Sequence, residues 1–263
     1  MTVLALSWRR VVFEIRTTLR DRNAVIFSML FPLFLLVLFG SVFGHQEIAN
    51  TRVTIAAYLV PGLVASGLLY SAFQLLAISA TQERRDGTLT RFYLSPMPRS
   101  VYFVGKLGLS VFVYIVQIAL LIAAARALFA VRLPSGGGWW TLTWVSVLGL
   151  ASSALLGLAM STGAKTVNSA SAITVPVVLF FQFTSGVYFV YTDLPQWMQR
   201  LAAIFPLKWL AQALRSVFLP ARFGHFEAAG TFELARCAQI LGLWVLIAVV
   251  LAGRTFRWRP ASQ

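Results

Sequence analysis

Charged residues are scarce in this sequence, and acidic ones most of all. Only 11% of the 263 residues are charged and 59% are hydrophobic, so that the mean hydropathy reaches +0.78. A water-soluble domain has about 25% charged residues, and the composition therefore indicates a membrane protein. The single cysteine, Cys237, excludes an intrachain disulfide and leaves the redox compartment open.

Six apolar runs are long enough, or nearly so, to cross a bilayer as helices, which takes about 20 residues. Their apolarity is unbroken rather than alternating, which argues against a β-barrel. The first run is followed by no small-residue cleavage site, and this favours a membrane anchor over a signal peptide. The sequence predicts an all-α polytopic membrane protein with six spans. The predicted spans are residues 24–44, 55–80, 107–131, 139–163, 172–192 and 237–253, the last being the shortest with 17 residues.

The predicted spans contain no Asp, Glu, Lys or His, and Arg126 is their only charged residue. Proton-coupled transporters and intramembrane enzymes need such groups at membrane depth, so both classes are disfavoured. The sequence also has no GxxxxGK[ST] phosphate loop, because Leu107 follows Gly105-Lys106. We therefore expect no nucleotide, other cofactor, metal or catalytic residue on this chain, and energy supplied by a partner.

The basic excess, a net charge of +14, follows the predicted topology. With both termini in the cytoplasm, the inner segments carry 14 Lys and Arg residues and the outer segments carry 7. This bias agrees with the positive-inside rule. We expect a multi-pass protein of the plasma or inner membrane with both termini cytoplasmic, and no nucleic-acid partner.

Two further segments have amphipathic patterns. Residues 1–23 predict a cytoplasmic interface helix, which either anchors to the membrane surface or contacts a partner, ahead of a six-span domain, residues 24–263. Residues 193–236 predict two short helices broken at Pro206, which are too short to span a membrane. They fit an extracytoplasmic re-entrant hairpin between the last two spans.

The segment 81–106 is highly charged although it lies between apolar runs. Asp86 or Thr88 can cap a short helix there, and Pro96 should end that helix near Leu94. Its apolar side chains are Leu89, Phe92 and Tyr93, which share one face. Such a helix could dock in a groove of another protein, or the segment could be an inner loop that only sets topology.

Two motifs resemble the membrane subunits of type-2 ATP-binding-cassette exporters, particularly the drug-exporter branch. The first motif consists of Glu83, Gly87-Thr88-Leu89, Leu94-Ser95-Pro96 and Gly105-Lys106. The second motif runs from Gly186-Val187-Tyr188-Phe189 through Leu194-Pro195-Gln196-Trp197 and Phe205-Pro206-Leu207 to Ala213-Leu214-Arg215.

The resemblance implies two separate ABC ATPase subunits that bind ATP and Mg²⁺, and a second copy of this or a related membrane subunit. It also implies that the segment after the second span couples to the ATPase. The implied coupling residues are Glu83, Arg84, Arg85, Asp86, Gly87, Thr88, Leu89, Arg91, Phe92, Tyr93, Ser95 and Pro96.

Polar side chains inside or beside the spans are candidates for a substrate pathway, because they are costly against lipid. Hydrogen bonding between helices is the alternative use. The candidates are Tyr70, Gln74, Tyr114, Gln117, Gln182 and Tyr188.

The function these observations favour is the permease of an ATP-driven exporter for an amphiphilic drug-like or lipid-like substrate. An exporter of a lipid-linked polysaccharide or glycolipid would share the architecture. A membrane assembly factor or a lipid-modifying membrane enzyme would belong to another class, distinguishable by the absence of an associated ATPase.

Overall fold

The computed structural model describes residues 2–20, 22–44, 46–48 and 51–256, with side chains except in residues 22–29. Within these ranges the chain forms ten α-helices and no strand. In chain order they are α1 Val3–Arg20, α2 Arg22–Phe43, α3 Ile55–Arg85, α4 Thr88–Leu94, α5 Arg99–Phe129, α6 Gly138–Ser161, α7 Val167–Thr184, α8 Gln196–Ala202, α9 Pro206–Phe218 and α10 Leu234–Thr255. Helix α3 contains a π-helical turn, Leu69–Gln74.

In the described part of the chain, five helices are long and apolar enough to cross a membrane, namely α3, α5, α6, α7 and α10. The chain is therefore an all-α, multi-pass membrane protein. The apolar part of α2 with described side chains, Leu30–Phe43, is shorter than these spans. Because residues 24–29 of the predicted first span lie outside the described side chains, the sixth span stays a prediction.

Several helix ends differ from the predicted spans. Helix α5 begins at Arg99, so the end of the predicted segment 81–106 is already part of the long helix. Helix α7 ends at Thr184 instead of 192, because Gly186 takes a left-handed φ of 72° that interrupts the helix. Helix α10 has 22 residues, against the 17 predicted for the last span.

Helix α3 is the centre of the bundle. Of the residues in its most apolar 18-residue stretch, 72% are buried, compared with 17% in the corresponding stretch of α10 at the periphery. Small residues of α6 allow close packing here, because a Cβ at Gly157 would lie 2.4 Å from the carbonyl oxygen of Phe73. A Cβ at Gly149 would lie 2.6 Å from Leu68. The face of α6 that carries Gly149 and Gly157 thus packs inside this chain.

The two short helices predicted within 193–236 are present as α8 and α9, with Pro206 at the first position of α9. Helix α9 is almost entirely buried against α3, α6 and α10. Its leucines Leu207, Leu210 and Leu214 are 1% exposed or less, and burial of each contributes roughly 1.5–3 kcal/mol. The depth of this hairpin in the bilayer stays a prediction.

Candidate functional site

Four charged side chains from three helices meet at one end of the bundle, and we call them the ion cluster. Arg10 and Glu14 lie on α1, Glu83 lies near the end of α3, and Lys106 lies on α5. The Lys106 Nζ is 3.0 Å from a carboxylate oxygen of Glu14 and 3.0 Å from one of Glu83. Arg10 Nη2 donates to Glu83 Oε1 at 3.0 Å and also to Glu14. The two cations and two carboxylates neutralise one another.

Burial makes this cluster sensitive to the loss of any member. Lys106 has 1% of its side chain exposed and Glu14 has 6%. Breaking a buried ion pair by removing one partner costs about 3–5 kcal/mol, because the other charge stays buried. The neighbouring Gly105 is needed for the same contact, since a Cβ there would lie 2.5 Å from Arg10 Cγ. The two residues of the Gly105-Lys106 motif therefore have separate physical roles. Gly105 lets α1 approach α5 closely, and Lys106 forms an ion pair with Glu14 of α1.

Helix α1 turns its polar residues towards the bundle. Ser7 and Glu14 are buried, whereas Leu4 is 82% exposed and Trp8 is 68% exposed. The apolar stripe predicted from the sequence is therefore divided. Leu4 and Trp8 are exposed, whereas Val11 and Ile15 pack against α5. The exposed part fits the surface of a bilayer.

The short helix α4 has the predicted length but not the predicted cap. It runs from Thr88 to Leu94, and Ser95 is extended before Pro96, as the proline effect requires. Its N-cap is Gly87, with a left-handed φ of 71° and no side-chain capping bond. The capping prediction for Asp86 or Thr88 was wrong, because the Asp86 carboxylate accepts instead from Gln82 Nε2 at 2.6 Å.

The predicted docking face of α4 is only partly available. Leu89 is 1% exposed, so it packs inside this chain and cannot contact a partner. Phe92 lies 5.7 Å from the Tyr102 ring, and the Tyr93 ring lies 4.8 Å from the guanidinium carbon of Arg99. Of the predicted coupling residues, Arg84 and Leu89 are buried, Glu83, Gly87, Thr88, Phe92, Tyr93 and Ser95 are half-buried, and Arg85, Asp86, Arg91 and Pro96 are exposed.

Arg84 has an internal role rather than a surface one. Its Nη1 donates to the carbonyl oxygen of Ser161 at 2.5 Å, and its Nη2 donates to Ser161 Oγ at 3.1 Å. The guanidinium thereby ties the end of α3 to the end of α6. The sequence did not predict this contact, because Arg84 lies in a charged segment and nothing in the sequence indicates that its partner is the carbonyl oxygen of Ser161.

Three contributors to this end of the bundle escaped prediction. Arg10 and Glu14 were not predicted, because the amphipathic pattern of α1 indicated only a membrane-surface or partner contact. Their four-residue spacing was the available signal. Phe256, just after α10, packs on Phe103 with ring centres 5.5 Å apart and on Tyr102 at 6.1 Å. Its ring also lies 5.9 Å from the Arg84 guanidinium carbon.

Three of the six pathway candidates come together, and we call Tyr70, Gln182 and Tyr188 the polar trio. Both tyrosine hydroxyls donate to Gln182 Oε1, Tyr188 at 2.8 Å and Tyr70 at 3.4 Å. Gln182 is fully buried, and its Nε2 finds no acceptor among the described residues. Tyr114 instead bonds Ser146 at 2.9 Å.

The remaining two candidates do not join the trio. Gln117 is buried beside Gly67, whose added Cβ would lie 3.0 Å from Gln117 Oε1. Gln74 is half-buried, and its Oε1 accepts no hydrogen bond within the described chain.

The opposite end of the bundle carries a second buried ion pair, between Arg215 and Glu227. Arg215 Nε donates to Glu227 Oε1 at 2.5 Å and Nη2 donates to Oε2 at 3.0 Å. The Tyr58 hydroxyl donates to the carbonyl oxygen of Gly186 at 3.2 Å, beside this pair. The last residue of the second motif thus anchors α9 to the loop 219–233.

Lys208 on α9 lies in the same region without an ion pair in the described part of the chain. It is 4% exposed, and its Nζ lies 3.4 Å from the Trp209 ring centre. Burial lowers the pKa of Lys208 to about 8, although nearby acidic groups oppose that effect. The nearest carboxylates are engaged elsewhere: Glu227 with Arg215, and Glu233 with Arg236.

A family model and two curated relatives match this chain, and all three describe ABC transporters. The family model described as ABC-2 type transporter matches residues 3–219. Two curated relatives, from Escherichia coli K12 and E. coli O157:H7, are both named probable multidrug ABC transporter permease YbhR. Each is 24% identical over 166 residues, which cover 62% of this chain and 44% of the relative. The matched part thus spans less than half the length of these relatives.

Proposed function

Because the chain belongs to the ABC-2 type transporter family, we propose that it is the permease subunit of an exporter driven by a separate ATPase. Two ATPase subunits would bind ATP and Mg²⁺, and this chain would pair with a second copy of itself or a related subunit. Paired membrane subunits with cyclic symmetry are the usual way to enclose a pathway that one chain cannot enclose.

The observation that carries the proposal is the mounting of α4 on the ion cluster. The exposed surface of α4 offers Leu94, which is 69% exposed, and the cation of Arg91, and Arg85 adds an exposed cation at the end of α3. An apolar anchor among charges suits a groove on another protein. The base of α4 is fixed, since Leu89 is buried and Glu83 is held by Arg10 and Lys106.

This arrangement can transmit force as a rigid body. A push on α4 reaches α3 through the short link at Gly87, and it reaches α1 and α5 through the ion cluster. Buried, fully paired charges resist separation, so the four helices would move together rather than slide. Closure of the ATPase pair would then rock the spans and expose the pathway outward.

The polar trio supports a substrate pathway beside α2 and α7. Aromatic rings surround it: Phe39 lies 6.0 Å and Phe183 5.2 Å from the Tyr188 ring, and Phe183 is 45% exposed. An uncharged aromatic surface with a few hydrogen-bonding groups suits an amphiphilic drug-like or lipid-like molecule. The multidrug names of the two relatives agree with this substrate class.

The proposed placement is a plasma or inner membrane with six spans and both termini in the cytoplasm. Helix α1 would then lie on the cytoplasmic surface beside α4. Helices α8 and α9 would form the re-entrant hairpin at the opposite face, with the Arg215–Glu227 pair holding it together.

A reconstitution experiment tests the proposal. The protein is co-expressed with a candidate ABC ATPase from the same genome, purified, and placed in proteoliposomes. We expect the ATPase to co-purify, and ATP-dependent outward movement of amphiphilic substrates. Arg91→Glu should weaken ATPase association while the membrane subunit inserts normally. The proposal would be contradicted if this chain moved substrate without any ATPase. It would also be contradicted if Arg91→Glu left ATPase association unchanged.

A further inference from the structure

A cavity of about 300 Å³ lies between five elements of the bundle. Leu69 and Phe73 enter it from the π-helical turn of α3, and Phe181 enters from α7. Phe205 and Trp244 close it from the start of α9 and from α10. The Phe181 and Phe205 rings lie 4.2 Å apart, and Phe205 stacks on Trp244 at 5.9 Å.

The cavity has no polar lining surface. The one hydrogen-bonding group among its lining side chains, the Trp244 indole N–H, already donates to the carbonyl oxygen of Ile204 at 2.9 Å. A buried water needs two to four polar partners, so water gains nothing in this space. Apolar cavities of about 150 Å³ bind molecules the size of benzene. A cavity twice as large can hold a segment of hydrocarbon chain.

The surroundings identify the source of that hydrocarbon. Helices α7 and α10 bound the cavity from two sides without forming a packing interface with each other, and the cavity is partly open. Both helices are membrane spans by length and composition, and both expose large apolar side chains. Phe180 on α7 is 44% exposed, and Leu243 and Leu246 on α10 are 54% and 65% exposed. Two walls of the partly open cavity are thus membrane spans with exposed apolar side chains, which is the kind of surface that contacts bilayer lipid.

A molecule bound in the cavity would contact the π-helical turn of α3 and α7. Its walls include the π-helical turn and α7, the two elements that the Tyr70–Gln182 hydrogen bond joins. Tyr70 follows Leu69, and Gln182 follows Phe181, so the bond lies on adjacent faces of the same two elements. Single π-helical turns are rare and occur frequently at functional sites. A chain in the cavity would support this turn from behind.

We propose that the cavity binds one acyl chain of a membrane phospholipid, held between the π-helical turn, α7 and α10. The bound chain replaces the side-chain contacts that the cavity walls otherwise lack, and dispersion contacts make up its affinity. This site is separate from the substrate pathway and does not depend on an ATPase. Its failure would leave the exporter proposal untouched.

Labelling in a bilayer of defined composition tests the site. The full chain is placed in nanodiscs of phosphatidylethanolamine and phosphatidylglycerol with a trace of phosphatidylethanolamine that carries a diazirine on one acyl chain. After illumination, mass spectrometry of peptides locates the adducts. We expect adducts concentrated on Val177, Phe181 and Trp244. Adducts spread evenly over the exposed faces of α7 and α10 would overturn the proposal, because they indicate ordinary surrounding lipid.

Two variants sharpen the result. Leu156→Trp fills the cavity from α6 and should abolish labelling of Phe181 and Trp244. Leu246→Trp adds the same bulk on the lipid-facing side of α10 and should leave that labelling unchanged. Equal labelling of both variants would contradict the site. Should Leu156→Trp fail to fold, native mass spectrometry of the wild-type protein decides: one phospholipid retained through delipidation supports the site, and none retained refutes it.

Discussion

Arg10 and Glu83 lie 73 residues apart in sequence, yet their side chains form a half-buried ion pair of 3.0 Å. This contact joins the first helix of the chain to the end of its central helix. Together with Glu14 and Lys106 it makes one neutral unit out of α1, α3 and α5. The exposed helix α4 is therefore attached to a rigid base, which is what a docking element needs if it is to transmit motion.

The ion cluster should fail when its charges become unequal. We predict that Lys106→Met lowers the free energy of unfolding by about 3–5 kcal/mol, because Glu14 and Glu83 then share only one cation. The double variant Lys106→Met/Glu14→Gln should recover at least about 1 kcal/mol, since neighbouring charges are coupled. Denaturant unfolding in detergent micelles measures both. The matched control Arg85→Met removes an exposed cation and should change stability by less than about 0.5 kcal/mol.

Leu94 should be an anchor for the ATPase. We predict that Leu94→Asp lowers ATPase affinity at least about tenfold, because a charge replaces the exposed apolar tip of α4. Thermal stability should not change, since Leu94 is 69% exposed. The control is Leu133→Asp between α5 and α6, where Leu133 is 49% exposed at the other end of α5. Equal ATPase binding by the two variants, measured by co-purification, would remove Leu94 from the docking face.

The sequence predicted the helical membrane class and the two-turn helix near Leu94, because apolar run length and proline act locally. It did not predict Leu89 or Arg84 as internal residues. Both are surrounded by polar sequence, and only the fold brings Ser161 to Arg84. Nor did it predict that α7 ends at Thr184, because the following residues are still apolar and the interruption depends on the backbone of Gly186.

Similarly, the six polar pathway candidates could not be sorted from sequence. The spacing of polar residues along one helix does not reveal which other helix packs against them. Tyr114 and Gln182 were therefore equivalent candidates at the level of sequence. The structure separates them: Tyr114 bonds Ser146 between two helices, whereas Gln182 accepts from two tyrosines. Helix-to-helix hydrogen bonding, the alternative use, describes Tyr114 and also the Tyr70–Gln182 contact, so the pathway through the polar trio stays a proposal.

Phe256 should link α10 to the end of the bundle that carries the ion cluster. We predict that Phe256→Ala costs about 1–2 kcal/mol of stability through its lost aromatic contacts, and that it raises the ATP hydrolysed per substrate exported. The second effect is specific to coupling, because a purely structural loss lowers both rates together. Phe256→Trp should restore the ratio. The control Phe226→Ala removes a partly exposed ring within the loop 219–233 and should leave the ratio unchanged.

Lys208 should make stability depend on pH. Burial lowers the pKa of Lys208 to about 8, below the roughly 10.4 expected in the unfolded chain. Between these two values the unfolded state binds more protons than the folded state, so stability rises with pH from about 8 to about 10. Below that window the buried ammonium destabilises the fold by up to about 3 kcal/mol.

Lys208→Met should therefore raise the Tm at pH 7 and flatten the rise in Tm between pH 8 and pH 10. Thermal unfolding in detergent at a series of pH values measures both effects. The control is Arg200→Met on α8, which removes an exposed cation and should leave the slope intact. An unchanged slope in Lys208→Met would mean that Lys208 keeps its charge through a counter-ion or water, and that its burial has no energetic cost.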